Sequence, residues 1–334
     1  MCLSSLLELH PYEIGAVMKK WLIEELICPQ CLDSEIVLNP DIHTETDDDI
    51  IEGRLVCPQC RQGYEIHEGI AVVVPEQTLP IVRDETGYNS FSMRSAYLWS
   101  HYSEFFNGPD ATDAYGKWAR AFDSQRSGWA LDIGCSVGRL TFEMTRTHDR
   151  AVGLDTSISF VRAARRLAAQ KRLEFDLIME GQITEKRGCD LDPAFGFDQA
   201  EFIVADAMAL PFRSRRFVTV SSVNILEKVP DPLLHLAEAN RVMDEKDAKF
   251  LFSDPFSWDE NVNDPALWLG GTKEGPFKGF GMDNICRLLQ DPESLFSPGF
   301  TIQDMGQVLW KIRKTRNLWE HITSQFVVAE RNKI

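Results

Sequence analysis

The chain contains no apolar run approaching the roughly 20 residues that a membrane-spanning helix requires. An ordinary helical membrane protein is therefore excluded. It is also short of positive charge, with 35 Lys and Arg against 51 Asp and Glu and a formal net charge of −16. Phosphate backbones are held by clustered Lys and Arg. Such a balance disfavours a nucleic-acid partner and favours a small-molecule or protein substrate. The one basic run, Lys311-Ile312-Arg313-Lys314-Thr315-Arg316, is short and interrupted and reads as a solvated face. Cysteine is sparse outside two CxxC pairs. Four of the eight, Cys2, Cys135, Cys189 and Cys286, are scattered, which argues against a disulfide framework. Residues Met1 to Ile27 carry Glu8, Glu13, Lys19, Lys20, Glu24 and Glu25 and offer no signal-peptide apolar core. These absences lead to the expectation of a cytoplasmic protein with no membrane partner. Nothing in the pattern points to an oligomeric state. At 334 residues and 44% apolar, the chain has room for two folded domains.

What is present begins with two identical knuckles, Cys28-Pro29-Gln30-Cys31 and Cys57-Pro58-Gln59-Cys60. A CxxC turn presents two sulfurs to one ion, and two such turns complete a tetrahedral four-thiolate site. Cys28, Cys31, Cys57 and Cys60 are thus candidate ligands of a structural Zn2+. With four protein ligands no position remains for a reactive water. A redox dithiol and an iron–sulfur cluster are the rival readings. Between the knuckles, the acidic block Asp41 to Asp49 reads as a solvated loop. Residues 1–17 form an apolar-leaning extension in which a helical turn or two is expected. The run from Gly69 to Pro75 reads as a buried strand closed by proline. Residues 18–77 then make a small zinc-ribbon α+β domain, and residues 78–95 a polar linker.

The remainder, residues 96–334, reads as an α/β domain. It opens with an aromatic-rich stretch (Tyr97, Trp99, Tyr102, Phe105, Phe106, Tyr115, Trp118, Phe122) placed where a lid would lie. Strands are expected at Ala130–Ile133, Ala151–Leu154, Phe202–Ala205, Val218–Val223 and Phe250–Ser253. Helices are expected near Arg139–Thr145, Ser159–Ala169, Pro232–Met243 and Met282–Leu289. Such alternation signals a mostly parallel, Rossmann-like sheet with helices on both faces. Two late strands, near Thr301–Val308 and Gln325–Val328, lack a helix between them and are expected to finish a seven-stranded sheet as an antiparallel edge hairpin.

The turn Asp132-Ile133-Gly134-Cys135-Ser136-Val137-Gly138 lies between an expected strand and helix, where glycines admit a ligand to the backbone and the helix dipole favours it. Asp155, at the end of the second strand, is placed to accept ribose hydroxyls. Asp206-Ala207 ends the third strand, where a carboxylate can accept an adenine amino group. Asn224 ends the fourth. The candidate cofactor residues are Asp132, Gly134, Cys135, Gly138, Asp155, Asp206, Ala207 and Asn224. A dehydrogenase shares the glycines and the first acid, but this turn has GxxxG rather than GxGxxG and is followed by a second acid. Cys135 reads as a small filler, since nothing nearby lowers its pKa.

With those residues stated, three resemblances follow. The stretch from Met18 to about Gln77, through Leu22-Ile23-Glu24-Glu25-Leu26-Ile27 and both knuckles, resembles the small zinc-ribbon activator of tRNA, rRNA and release-factor methyltransferases. That resemblance implies a docking module without chemistry of its own. The turn with Asp155 and Asp206 resembles class I methyltransferases over residues 129–254, which implies S-adenosylmethionine as cofactor. His101-Tyr102, Asn224, the run from Ser253 to Glu260, Trp268-Leu269-Gly270-Gly271, the run from Trp310 to Arg316, and His321-Ile322-Thr323-Ser324-Gln325 resemble the methyltransferase domain of ovothiol synthase. This third likeness implies N-methylation of a histidine-derived imidazole thiol or selenol. The present chain departs from that family in lacking its iron-dependent domain and carrying the ribbon instead. Methyl transfer is an in-line displacement that needs an aimed, desolvated nucleophile. The candidate catalytic residues are Asn224 to bond the imidazole, Arg313 to clamp a carboxylate, His321 to accept a proton, and Tyr102, Trp258 and Trp268 as aromatic walls. The alternative function is methylation of RNA or protein. A non-catalytic scaffold is the third reading.

Overall fold

A computed structural model describes residues 18–106, 108, 110–122 and 125–333. The extension at residues 1–17 lies outside them. The ribbon consists of β1 (Met18–Lys19), β2 (Asn39–Glu45), β3 (Asp49–Val56), β4 (Gly63–His67) and β5 (Ile70–Val73). Then come α1 (Leu79–Arg83), α2 (Phe91–Tyr102) and α3 (Ala114–Ala119). The α/β part follows as β6 (Arg126–Ile133), α4 (Arg139–Met144), β7 (His148–Asp155), α5 (Ile158–Gln170), β8 (Arg172–Glu180), β9 (Ile183–Asp190), β10 (Ala200–Ala205), β11 (Phe217–Val223), α6 (Pro232–Val242), β12 (Lys249–Asp254), α7 (Gly281–Gln290), β13 (Phe300–Arg313) and β14 (Trp319–Arg331).

Five strands run parallel in the order β10-β7-β6-β11-β12, followed by β14 and β13. The β14 strand is antiparallel to both neighbours. This is the expected Rossmann-like class I arrangement with its edge hairpin. The central strands are buried along both faces, β10 and β12 at every position, which is why they read as continuous apolar runs. Helix α5 packs Phe160, Val161, Ala164 and Leu167 inward, a 3.6-residue stripe. Its start is fixed by Ser157, whose hydroxyl accepts from the Phe160 N–H, and Asp231 caps α6 in the same way.

Three expectations need correction. The acidic block between the knuckles is largely strand β2, paired antiparallel with β3. Its side chains other than Ile42 are exposed, so the backbone pairs while the sequence stays polar. The β8–β9 hairpin was not expected at all. Strand β9 has no buried residue to produce an apolar signal, and the two strands are joined at Gly181, which has φ 56°. Finally, the strands of the ribbon and of the α/β part, the β8–β9 hairpin excepted, belong to one sheet. Strand β5 pairs parallel with β10 (Val72 with Val204, Val73 with Ala205), so the central sheet runs continuously into the ribbon and reaches twelve strands. The cause is visible in β5 itself. Ile70, Ala71 and Val73 are buried, which leaves no solvated face. The segment read as a linker carries α1 and the N-cap of α2.

The ribbon and the sheet share one apolar cluster, to which Met18, Leu22 and Leu26 contribute alongside Leu131, Ile203 and Phe250. Each such side chain contributes about 1.5–3 kcal/mol on burial. Around this core the Ile27 N–H donates to the Pro211 carbonyl (3.0 Å), and Arg216 bridges both carboxylate oxygens of Glu25 (2.7 and 3.0 Å). Trp21 meets Trp129 edge-on at 4.9 Å. Buried Glu201 on β10 holds Arg165 of α5 and the Lys19 N–H of β1. If the core is shared, Leu26→Ala lowers the stability of the whole chain by about 2–5 kcal/mol. The expected result is a single unfolding transition moved to lower temperature by both ribbon and sheet probes; two separated transitions would contradict it.

Candidate functional site

The carboxyl ends of the parallel strands surround a cavity of about 300 Å³. Its floor is the glycine turn. The Gly134 and Cys135 N–H groups both donate to the Leu154 carbonyl at 2.9 Å, locking the turn after β6 to the end of β7. Gly134 (φ 74°) and Gly138 (φ 83°) are both left-handed, and a Cβ on Gly138 would lie 2.7 Å from the Phe202 ring. Asp132, beneath the turn, accepts from the Thr141 and Ser221 hydroxyls at 2.7 Å each. Asp155 accepts from the Ser136 N–H (3.0 Å) and the Ser157 N–H (2.8 Å). Burial pushes both carboxyls up to about 6, against the hydrogen bonds that favour their charged forms. Asp206 accepts from the Met208 N–H (2.8 Å) and from the Thr78 hydroxyl (2.5 Å), so a residue that follows the ribbon directly braces the third acid. Asn224 has φ 58°, donates its N–H to Ser253, and leaves its side-chain Oδ1 buried without a partner.

The opposite wall comes from the segment after β5 and from α2, α3 and β13: Ile81, Tyr88, Tyr97, His101, Tyr115 and Trp310. The Asn89 side chain accepts from the Ser157 hydroxyl and the Ser159 N–H, fastening this cover to the start of α5. His101 is buried, and desolvation holds its pKa well below the usual value. Lys228 also lines the cavity, with its Nζ 2.7 Å from Glu227.

Of the residues singled out from sequence, Asp132, Gly134, Cys135, Asp155, Asp206, Ala207 and Asn224 line this cavity. Gly138 lies just beyond it as the N-cap of α4. The structure does not bring Tyr102, Trp258, Trp268, Arg313 or His321 to it. Tyr102 is buried behind the turn and donates to the Val137 carbonyl (2.9 Å), propping the turn from below. Trp258 and Trp268 stack on each other (5.9 Å, 15°), and Trp268 donates to Asn263. The Trp-Leu-Gly-Gly segment is a packing device: Leu269 is fully buried, and Gly270 leaves no room for a Cβ against the Gly281 backbone, 2.4 Å away. Arg313 lies over Trp319 (5.1 Å) and donates to the Thr315 carbonyl. His321 is exposed opposite Lys311, one residue out of phase with buried Trp310 and half-buried Ile322. The inward face of β13 was readable from the alternation Val308, Trp310, Ile312, whereas Thr78, Tyr88 and Lys228 carried no local signal.

The second candidate site is the ribbon's thiol cluster. The four sulfurs of Cys28, Cys31, Cys57 and Cys60 lie within 4.8 Å of one another, and those of Cys28 and Cys60 are 3.6 Å apart. Sulfurs at the corners of a tetrahedron with bonds of ~2.3 Å stand about 3.8 Å apart, so the cluster suits one tetrahedral cation.

Residues 131–247 match the family model of a methyltransferase domain. The family match and the mostly parallel sheet assign residues 131–247 to a Rossmann-like methyltransferase domain. No curated protein matches it. Among solved structures it is similar to a chain of the complex between the Haloferax volcanii Trm112 methyltransferase activator and a methyltransferase, at 14% identity, covering 74% of this chain and 96% of that one with a TM-score of 0.44. It is also similar to an S-adenosylmethionine-dependent methyltransferase of Methanosarcina mazei (19% identity, 63% and 95% covered, TM-score 0.40). A third similar structure is the magnesium protoporphyrin IX methyltransferase of Synechocystis PCC 6803 with bound SAH (16% identity, 77% and 94% covered, TM-score 0.41).

The thiol geometry carries its own expectation. Elemental analysis of the purified chain is expected to find one divalent cation per molecule, and Cys57→Ser with Cys60→Ser is expected to abolish it.

Proposed function

We propose that this methyltransferase transfers a methyl group to an imidazole nitrogen of a small histidine-derived thiol or selenol. The observation that carries the reading is the cavity's make-up. It holds three strand-end carboxylates on one side and aromatic rings on the other, with buried, unpartnered polar atoms on Ser136, His101 and Asn224 left for a ligand. Those orphaned atoms suit a polar organic cofactor and acceptor, because a buried polar group without a partner costs about 1–3 kcal/mol. S-adenosylmethionine supplies an electrophilic methyl on a sulfonium when bound. Asp155 is the proposed acceptor of the ribose hydroxyls and Asp206 of the adenine amino group. Asn224 accepts from the acceptor's ring N–H through Oδ1, which orients the opposite nitrogen. Tyr88, Tyr97 and Trp310 exclude water and favour a cationic sulfonium. The choice of a histidine derivative rests on the resemblance to ovothiol synthase, of which His101, Asn224 and Trp310 fall at the cavity. The net charge of −16 speaks against RNA. For the thiol cluster the proposed ion is Zn2+ in a closed, structural site, with the ribbon acting as a built-in brace of the sheet edge.

The direct test is mass-spectrometric turnover with S-adenosylmethionine and a panel of histidine, mercaptohistidine and selenohistidine acceptors. Gain of one methyl on a thiol- or selenol-imidazole is expected. Bound cofactor with no imidazole methylated would instead point to a macromolecular acceptor. Cofactor affinity, read by calorimetry, is expected to be flat above pH 6. Below it, affinity falls by up to about tenfold per unit as the Asp155 carboxylate, with its pKa near 6, takes up a proton. Asp155→Asn is expected to weaken affinity by about 10- to 100-fold and to leave a shallower pH dependence, carried by Asp132 alone.

A further inference from the structure

The wall facing the glycine turn contains a hydrogen-bonded pair in which one ring nitrogen is left without a partner. His101, 4% exposed on α2, and Tyr115, 7% exposed on α3, both line the cavity. The Tyr115 hydroxyl stands 2.5 Å from His101 Nε2 and makes no other hydrogen bond among the described residues. His101 Nδ1 is buried and has no protein partner. Burial keeps the imidazole neutral and the phenol protonated.

Two proton arrangements are then available. If Nε2–H donated to the phenol oxygen, the phenol hydrogen and the bare Nδ1 would both be left unsatisfied. If the phenol donates to Nε2, its hydrogen is satisfied and the ring proton sits on Nδ1, leaving one unsatisfied group instead of two. Each buried orphan is costly, so the second arrangement is favoured. Tyr115 thereby fixes the tautomer, as second groups fix catalytic histidines generally. The product is a buried, neutral N–H donor on a residue that lines the cavity.

From this geometry we infer that the His101 Nδ1–H seats the methyl acceptor by donating to an anionic atom of it, and that Tyr115 positions His101 by holding its tautomer. The inference rests on the proposed imidazole acceptor. The attacking ring nitrogen must keep its lone pair free for the methyl carbon, so a donor cannot sit there without suppressing attack. It therefore takes a different atom, either the deprotonated sulfur or selenium or the carboxylate. A donor to a charged acceptor changes affinity by about 10- to 100-fold, enough to make His101 a determinant of which imidazoles are accepted.

Two readouts test this. Long-range ¹H–¹⁵N correlation on the histidine-labelled free protein, with the His101 signal assigned through His101→Asn, is expected to show the Nδ1–H tautomer; the Nε2–H tautomer would overturn the inference whatever the substrate proves to be. Tyr115→Phe is expected to abolish the tautomer preference. In binding, His101→Leu is expected to weaken mercaptohistidine by about 10- to 100-fold while cofactor affinity stays within about twofold. His101→Asn, whose amide nitrogen falls near Nδ1, is expected to recover most of that loss. Unchanged acceptor binding in His101→Leu, or a His101→Asn no better than His101→Leu, overturns the inference. Plain histidine, which keeps the carboxylate and lacks the chalcogen, separates the two anionic sources: a loss shared by both acceptors assigns the carboxylate, and a loss confined to mercaptohistidine assigns the chalcogen. If no imidazole binds the unmodified protein, the substrate reading fails, and the tautomer measurement still decides the donor.

Discussion

Two residues of backbone pairing, Val72 with Val204 and Val73 with Ala205, join the thiol-cluster end of the molecule to the end that carries the cavity. Without them β10 would be the open edge of a parallel sheet, and β5 would be an apolar strand with nothing on one side. Each solves the other's problem, since an unpaired edge exposes a row of backbone donors and acceptors. The consequences spread in both directions. Upstream, the strand is held in register by a ribbon whose loops converge on the four sulfurs. Downstream, the chain leaves β5 at a fixed point and direction, and five residues past the strand Thr78 meets the carboxylate of Asp206. The brace and the site are thus linked by a short, stiff piece of chain.

The site itself is a balance between burial and hydrogen bonding. Three carboxylates at strand ends would repel one another and resist ionisation if left bare. Asp132 is quieted by two hydroxyls, Asp155 by two backbone N–H groups, and Asp206 by one of each. What is left over is unevenly distributed. Asp132 has spent an acceptor on each oxygen and holds the turn. Asn224 and His101 keep a free polar atom each and face the ligand space.

Much of this was legible locally. The knuckles, the glycine turn and the three acids sit at positions fixed by strand ends, and strand ends follow from hydrophobic pattern. The cover of the cavity was legible in part: the aromatic stretch holding Tyr97 and Tyr115 reads as a lid, but Tyr88 and Trp310 come from separate segments that only the fold brings to it. Trp258 and Trp268 show a different limit. A tryptophan near a strand end looks the same in sequence whether it lines a pocket or stacks on its neighbour. His321 shows a third limit, since a one-residue difference in phase moves a side chain to the other face of a strand. The ribbon's fusion to the sheet was hidden because β5 reads as a buried strand without naming its neighbour.

The order of synthesis gives the β5–β10 pairing another meaning. Residues 70–73 leave the ribosome well before residues 200–205 exist, so for that interval the ribbon carries an apolar strand whose partner has not been made. Parallel pairing across so long a loop is slow to form, and an unpaired apolar edge invites association between chains. The nascent protein is therefore most vulnerable between these two points of translation, and its solubility in the cell depends on how quickly the α/β half catches up.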